Sequence, residues 1–211
     1  MSNPLAAMRR LLLIVAALGL CGLSCASQPR EQNYNLEKTS PNGAYRIKVD
    51  VKVEREDSLL GFFKEWGKVQ CFKGRDVIYA NEWNRTDNFE PTFMEAYPVI
   101  EWVSDNAVRQ GQDRSDQPFL DEVAISNQTD ESLKYVGFSY GKYETFTVLD
   151  LAPGGRISLS ISPRFKPDGT SNFMLTYGGE TQSGREVGGT LEQKQRESPA
   201  DGPLKFQIEI N

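Results

Sequence analysis

The sequence predicts an all-β protein: a small antiparallel β domain over residues 39–109, a linker at 110–118, and an antiparallel β-sandwich over 119–211. Two observations carry this expectation. Tyr45, Ile47, Val49, Val51 and Val53 alternate with Arg46, Lys48, Asp50, Lys52 and Glu54, the period-two pattern of a strand with one face in a core and the other in water. Beyond residue 118, seven candidate strands recur at short spacing with turn signals between them, the cadence of a sandwich.

The chain opens on Arg9 and Arg10, an apolar run from Leu11 to Leu20, and then Gly22-Leu23-Ser24-Cys25. This run falls short of the roughly 20 residues needed to cross a bilayer, and the polar segment behind it contains Pro29. The pattern resembles a bacterial lipoprotein signal, in which a small residue precedes a cysteine that receives a diacylglycerol group before cleavage on its N-terminal side. Ser24-Cys25 fits that pattern, whereas Cys21 follows the bulky Leu20. The resemblance implies a signal peptide over 1–24 and lipid attachment at Cys25. It also implies a place in the cell envelope, anchored to a membrane by lipid, at the periplasmic face of the outer membrane if the source is Gram-negative. Ordinary signal cleavage near Ser24 to Ser27 and an uncleaved anchor are the alternatives. Residues 25–38 then read as a flexible tether with an end-to-end distance of roughly 20 Å.

Removing 1–24 takes away two arginines and no acid, which turns the formal charge from −5 to −7. An acidic chain lacks the basic patch whose counterion release drives phosphate binding, so no nucleic-acid partner is expected. With Cys25 acylated, Cys71 is the one thiol left in the mature chain. The fold must then be held by its core rather than by a disulfide, and Cys71 itself, in Val69-Gln70-Cys71-Phe72, reads as a buried small hydrophobe.

Ser40-Pro41-Asn42-Gly43 is a turn signal, and the Tyr45–Glu54 strand follows it. This opener resembles that of β-propeller repeats, but a propeller needs several blades and one copy is present. Further strands are expected over 68–72, 76–82 and 99–108, with Lys73-Gly74-Arg75 as the hairpin turn between the first two. Residues 59–63 could pair with these strands or form one helical turn.

The stretch Gln110 to Gln117 has no apolar side chain and marks the linker. Behind it, strands are expected over 122–127, 133–140, 144–149, 156–162, 172–177, 186–191 and 204–210. Turns fall at Gln128-Thr129-Asp130, Ala152 to Gly155, Pro167-Asp168-Gly169, Gly178-Gly179 and Asp201-Gly202-Pro203. Val123 to Asn127 followed by Asp150 to Gly154 resembles the strand and turn grammar of immunoglobulin-like domains in exported bacterial proteins. The resemblance implies an immunoglobulin-like sandwich and carries no site.

The chemistry is mostly exclusion. With no histidine in the chain there is no Ser-His-Asp or Cys-His pair and no His-ligated zinc or haem. Gly178-Gly179, Gly184 and Gly188-Gly189 lack the strand-to-helix setting of a nucleotide fingerprint and read as hairpin turns. The clusters Glu54-Glu56-Asp57 and Asp113 to Asp116 do not match a calcium loop and read as solvated charge. No cofactor or metal is expected.

Glu65, Glu82 and Glu101 each precede a tryptophan, which a strand turns into one wet and one packed residue. Trp66, Trp83, Tyr140 and Tyr143 are the candidate ligand contacts. The reading that follows is an envelope lipoprotein without a catalytic role, binding another envelope protein or a glycan. The alternative is an enzyme in which two carboxylates act on a glycan, signalled by a cleft that holds two glutamates with a tryptophan in its wall.

Overall fold

The computed structural model describes residues 31–55, 62–87, 90–117, 119–140, 144–163, 171–196 and 202–211, with the backbone alone at 171–173 and 192–196. The leader, Cys25 and Tyr143 lie outside the described residues, as do 59–61 and the predicted turn at 167–169. Among the described residues the architecture is all-β and sandwich-like, with one helical turn.

The strands are β1 (Glu31–Thr39), β2 (Tyr45–Arg55), β3 (Phe63–Lys73), β4 (Asp76–Asp87), β5 (Val99–Trp102), β6 (Ala107–Gly111), β7 (Asp121–Asn127), β8 (Leu133–Tyr140), β9 (Glu144–Leu151), β10 (Arg156–Ile161), β11 (Ser171–Thr181), β12 (Glu186–Arg196) and β13 (Lys205–Ile210). The helical turn α1 (Phe93–Ala96) lies between β4 and β5. Three sheets result: an N-terminal sheet in the order β1-β2-β3-β4, a central sheet in the order β12-β11-β8-β9-β6-β5, and a small sheet in the order β10-β7-β13. Pairing is antiparallel except between β13 and β7, which run parallel.

The alternation of β2 decides how the layers stack. Ile47, Val49, Val51 and Val53 turn inward and are buried with Val69 and Cys71 of β3 against Ile100, Val108 and Leu149 of the central sheet. The opposite face of the central sheet presents Val136, Phe138, Phe146 and Val148 to Val123, Ile125, Ile161 and Ile208 of the small sheet. Each such side chain withdrawn from water contributes about 1.5–3 kcal/mol. Around β6, β8 and β9 the central sheet is therefore covered on two faces and the outer sheets on one, a three-layer solution.

The turn before β2 forms as its residues dictate. Gly43 takes a positive φ of 74°, and the Ser40 hydroxyl accepts from the backbone N–H of Tyr45 at 3.0 Å. Asp150 is the one non-glycine residue of the described chain at positive φ (49°). It is held there by the Tyr45 hydroxyl at 3.0 Å and Lys73 Nζ at 2.6 Å, which ties the N-terminal sheet to β9.

Several expectations need correction. Residues 31–38 of the expected tether form β1, paired along its length with β2; Tyr34 and Leu36 pack on the core, and backbone pairing makes up for the few apolar side chains. The expected strand over 99–108 is a hairpin, β5 and β6, with its turn at 103–106. The expected 110–118 linker does not separate the sheets. Gln110 and Gly111 belong to β6, which pairs with β9, so residues assigned to the first domain complete a sheet assigned to the second. Arg114 anchors the loop that follows, donating to Glu144 Oε1 at 2.6 Å and to the Ser160 carbonyl at 2.7 Å. Gly178-Gly179 and Gly188-Gly189 lie within β11 and β12; the hairpin turns instead at 182–185, where Gly184 has φ 90°.

Candidate functional site

The N-terminal sheet has four strands and the central sheet six, so β4 is a free edge lying over β8. Along that edge a cleft of about 630 Å³ opens between the two sheets.

Its wall comes from β3, β4 and the segment behind β4. The register pairs Gly67 with Trp83, and Gly67 has no side chain for a reason: a Cβ there would stand 2.0 Å from the Trp83 ring. The indole lies down over that gap and stacks on Phe93 at 4.7 Å, and Phe93 in turn meets Tyr97 at 5.0 Å. Thr92 and Glu95 form a capping box around α1, with the Thr92 N–H donating to Glu95 at 2.8 Å. Burial works to raise the Glu95 pKa, but the hydrogen bonds from Thr92 and the Arg55 cation together hold it below the ordinary value.

Beneath the wall stands Glu65, with no exposure at all. Its Oε1 accepts from Trp83 Nε1 at 2.7 Å and from Arg85 Nε at 3.0 Å, and its Oε2 accepts from the backbone N–H of Phe93 at 2.6 Å. Arg85 also donates to the Pro91 carbonyl. One buried carboxylate thus positions the tryptophan and the start of α1, with charge-assisted bonds that neutral partners would not match.

The floor is the central sheet: Gly137, Ser139, Thr145, Thr147 and Gly178, with Gln110 at one end. These are small or uncharged polar residues on the same face of the sheet that carries Val108 and Leu149 over the core.

Of the candidate ligand contacts among the described residues, Trp83 alone lines this cleft. Trp66 pairs with Asn84 and faces the other way, into a shallow groove on the outer face of the N-terminal sheet beside Asn33, Asn35 and Lys52. Trp83 also borders that groove, but Trp66 does not line the cleft between the sheets. Tyr140 is a correction: 3% exposed, it packs with Phe138 and Leu175 in the core on the far side of the central sheet. The wall residues Phe93 and Tyr97 and the glycine floor escape sequence reasoning, because only cross-strand register brings them together. Cys71 is buried in β3, and burial pushes its thiol up to about 12. Among the described residues no group of three His, Cys, Asp or Glu is placed to hold a metal ion.

Fold and cleft together define an all-β, sandwich-like protein with a ligand-sized opening between two of its sheets. Compared with known protein families, curated proteins and solved structures, the chain matches none of them.

Proposed function

We propose that this chain is an exported, lipid-anchored cell-envelope protein that acts as a non-catalytic binding module, with the cleft between its N-terminal and central sheets as the binding surface. The observation that carries this reading is the state of Glu65. A general acid or a nucleophile needs an oxygen turned toward its substrate, whereas both oxygens of Glu65 are taken by Trp83, Arg85 and Phe93. The carboxylate supports a wall, and wall and floor enclose a volume in the range of small-ligand sites. The leader and Cys25 supply the location by their resemblance to a lipoprotein signal. A carboxylate-dependent enzyme would draw on the same cleft, since Glu65 and Glu90 both line it beside Trp83, but it would have to release Glu65 from three hydrogen bonds.

Two measurements on the full chain expressed with its leader test the proposal. Metabolic labelling with an alkyne-tagged fatty acid is expected to mark the wild type and leave Cys25→Ser unmarked. A photo-crosslinking residue at Asn81, which lines the cleft, is expected to capture an envelope component in intact cells, whereas the same residue at Asn84 on the opposite face is not. An unlabelled wild type overturns the anchor, and equal capture from both positions overturns the cleft.

A further inference from the structure

We infer that the cleft takes a neutral oligosaccharide, lying across the strands of the central sheet rather than along them. This rests on the binding reading given above and specifies its ligand.

The register sets out two parallel rows on the floor. Gln110, Thr145, Ser139, Thr176 and Thr190 are successive cross-strand partners over β6, β9, β8, β11 and β12. Beside them Thr147, Gly137, Gly178 and Gly188 are partners in the same way. One row is a ladder of uncharged hydrogen-bonding side chains and the other is a trench. With neighbouring strands about 4.8 Å apart, the five-strand ladder runs about 19 Å. Its step is close to the length of one pyranose ring in an extended chain. The ladder starts inside the cleft at Gln110 and leaves it over β11 and β12, where Thr176, Gly178, Gly188 and Thr190 are exposed.

Two observations say that this surface is shaped for something absent from the chain itself. Glycine inside a strand weakens it and marks a close approach of another group; yet a Cβ at Gly137 or Gly178 would meet nothing nearer than a backbone oxygen at 3.7 Å or 3.9 Å. Packing within the protein does not demand those glycines. Independently, Gln110 and Thr147 line the cleft at 6% and 3% exposure, so two uncharged hydrogen-bonding side chains that are otherwise deep in the protein border this opening. A ligand that brings hydroxyl or amide groups to them replaces cleft water with hydrogen bonds of comparable strength.

The chemistry points to a sugar. Sugars present hydroxyls on their edges and C–H groups on their faces, and the cleft offers the ladder below and the Phe93 and Tyr97 rings beside it. Neither row carries a charge. Glu180, paired with Lys134 at 3.1 Å, and Glu186 flank the trench on the next cross-strand row, and the net negative charge of these three disfavours an anionic chain. A peptide strand would instead pair with the β4 edge and run along it.

The test is a titration of the full chain, expressed with its leader, with neutral oligosaccharides from disaccharide to hexasaccharide, alongside an acidic oligosaccharide and an extended peptide. Affinity is expected to rise with neutral chain length until the ladder is filled. Gly178→Val is expected to lower it at least about tenfold while the thermal midpoint holds, because the new side chain fills open space; Gln110→Leu removes the amide and is expected to weaken binding as well. Neutral sugars that fail to bind while the peptide binds and is lost in Gly178→Val would overturn the sugar and leave the binding module standing. Sugar binding that survives Gly178→Val but is lost in Trp66→Ala would overturn both and move the site to the outer face.

Discussion

The indole of Trp83 donates to Glu65 Oε1 at 2.7 Å from the neighbouring strand, and the same oxygen accepts from Arg85. That link couples the β4 edge, where the cleft opens, to a carboxylate wholly withdrawn from water. It is affordable because each carboxylate oxygen that burial strips of water finds a donor.

Replacing Glu65 by Ala leaves the Trp83 indole and the Phe93 amide without an acceptor, at a cost of about 2–4 kcal/mol. Glu65→Gln keeps one acceptor and is expected to cost less. Urea unfolding followed by tryptophan fluorescence ranks the two variants. Equal stability of wild type and Glu65→Ala would mean that the carboxylate does not hold the wall.

A second buried carboxylate secures the loop behind β6. Glu144 accepts from Arg109 Nε at 2.6 Å and from Arg114 Nη2 at 2.6 Å, and its other oxygen accepts from the Ser162 amide. Arg109 is 1% exposed. Glu144→Ala leaves that cation with the partly exposed Glu101 at 2.9 Å as its remaining carboxylate and is expected to cost about 2–4 kcal/mol. The loss is expected to show as a lower urea midpoint and faster proteolysis near Arg114. Burial works to depress the Arg114 pKa against the pull of Glu144, so the loop depends on this pairing.

Gly67 and Gly178 are both strand glycines and predict opposite outcomes. Gly67→Ala drives a methyl group into the Trp83 ring, 2.0 Å away, and is expected to cost about 1–3 kcal/mol with a shift in tryptophan emission. Gly178→Val meets open space and is expected to leave the melting midpoint within a few degrees. Parallel thermal melts decide, and a Gly67→Ala protein as stable as wild type would show that the indole does not lie over that gap.

Alkaline pH probes the core between the N-terminal and central sheets. Burial pushes the Cys71 thiol and the Tyr79 hydroxyl up to about 12, and burial together with Asp150 does the same for Tyr45. A folded pKa raised above its unfolded value gives stability that is complete below the unfolded value and lost as pH climbs through the folded one. With ordinary values of 9 for the thiol and 10 for the hydroxyls, the urea midpoint is expected to hold to about pH 9 and fall toward pH 12. Cys71→Ala flattens the start of that fall. Native protein at pH 8 is expected to leave Cys71 unmodified by a thiol reagent and to expose it in urea.

The strands most legible in the sequence are those with one face in a core and the other in water. Tyr45 to Val53 and Phe206 to Ile210 alternate because their outward residues meet solvent, and both are strands with that burial pattern. β1 was harder to see, since an edge strand with only Tyr34 and Leu36 to bury relies on backbone pairing. The β5–β6 hairpin turns through Val103 to Asn106 without glycine or proline. The glycine pairs in β11 and β12 looked like turns because glycine is a breaker by habit; the signal against that reading was the alternation Leu175, Tyr177 running into the first pair and Val187 standing before the second. The cleft was illegible for a different reason. Glu65, Gln110, Gly137 and Gly178 meet only through register and sheet order, which local patterns do not encode.

Amide NMR of a glycine-labelled full chain, recorded with and without purified neutral cell-envelope glycan, tests the central claim that the cleft is the binding surface. The resonances of Gly137, Gly178 and Gly188 are expected to move, while those of the turn glycines Gly43, Gly74 and Gly154 stay where they are. Movement confined to Gly67 and the outer-face groove beside Trp66, or no movement at any strand glycine, would contradict the account.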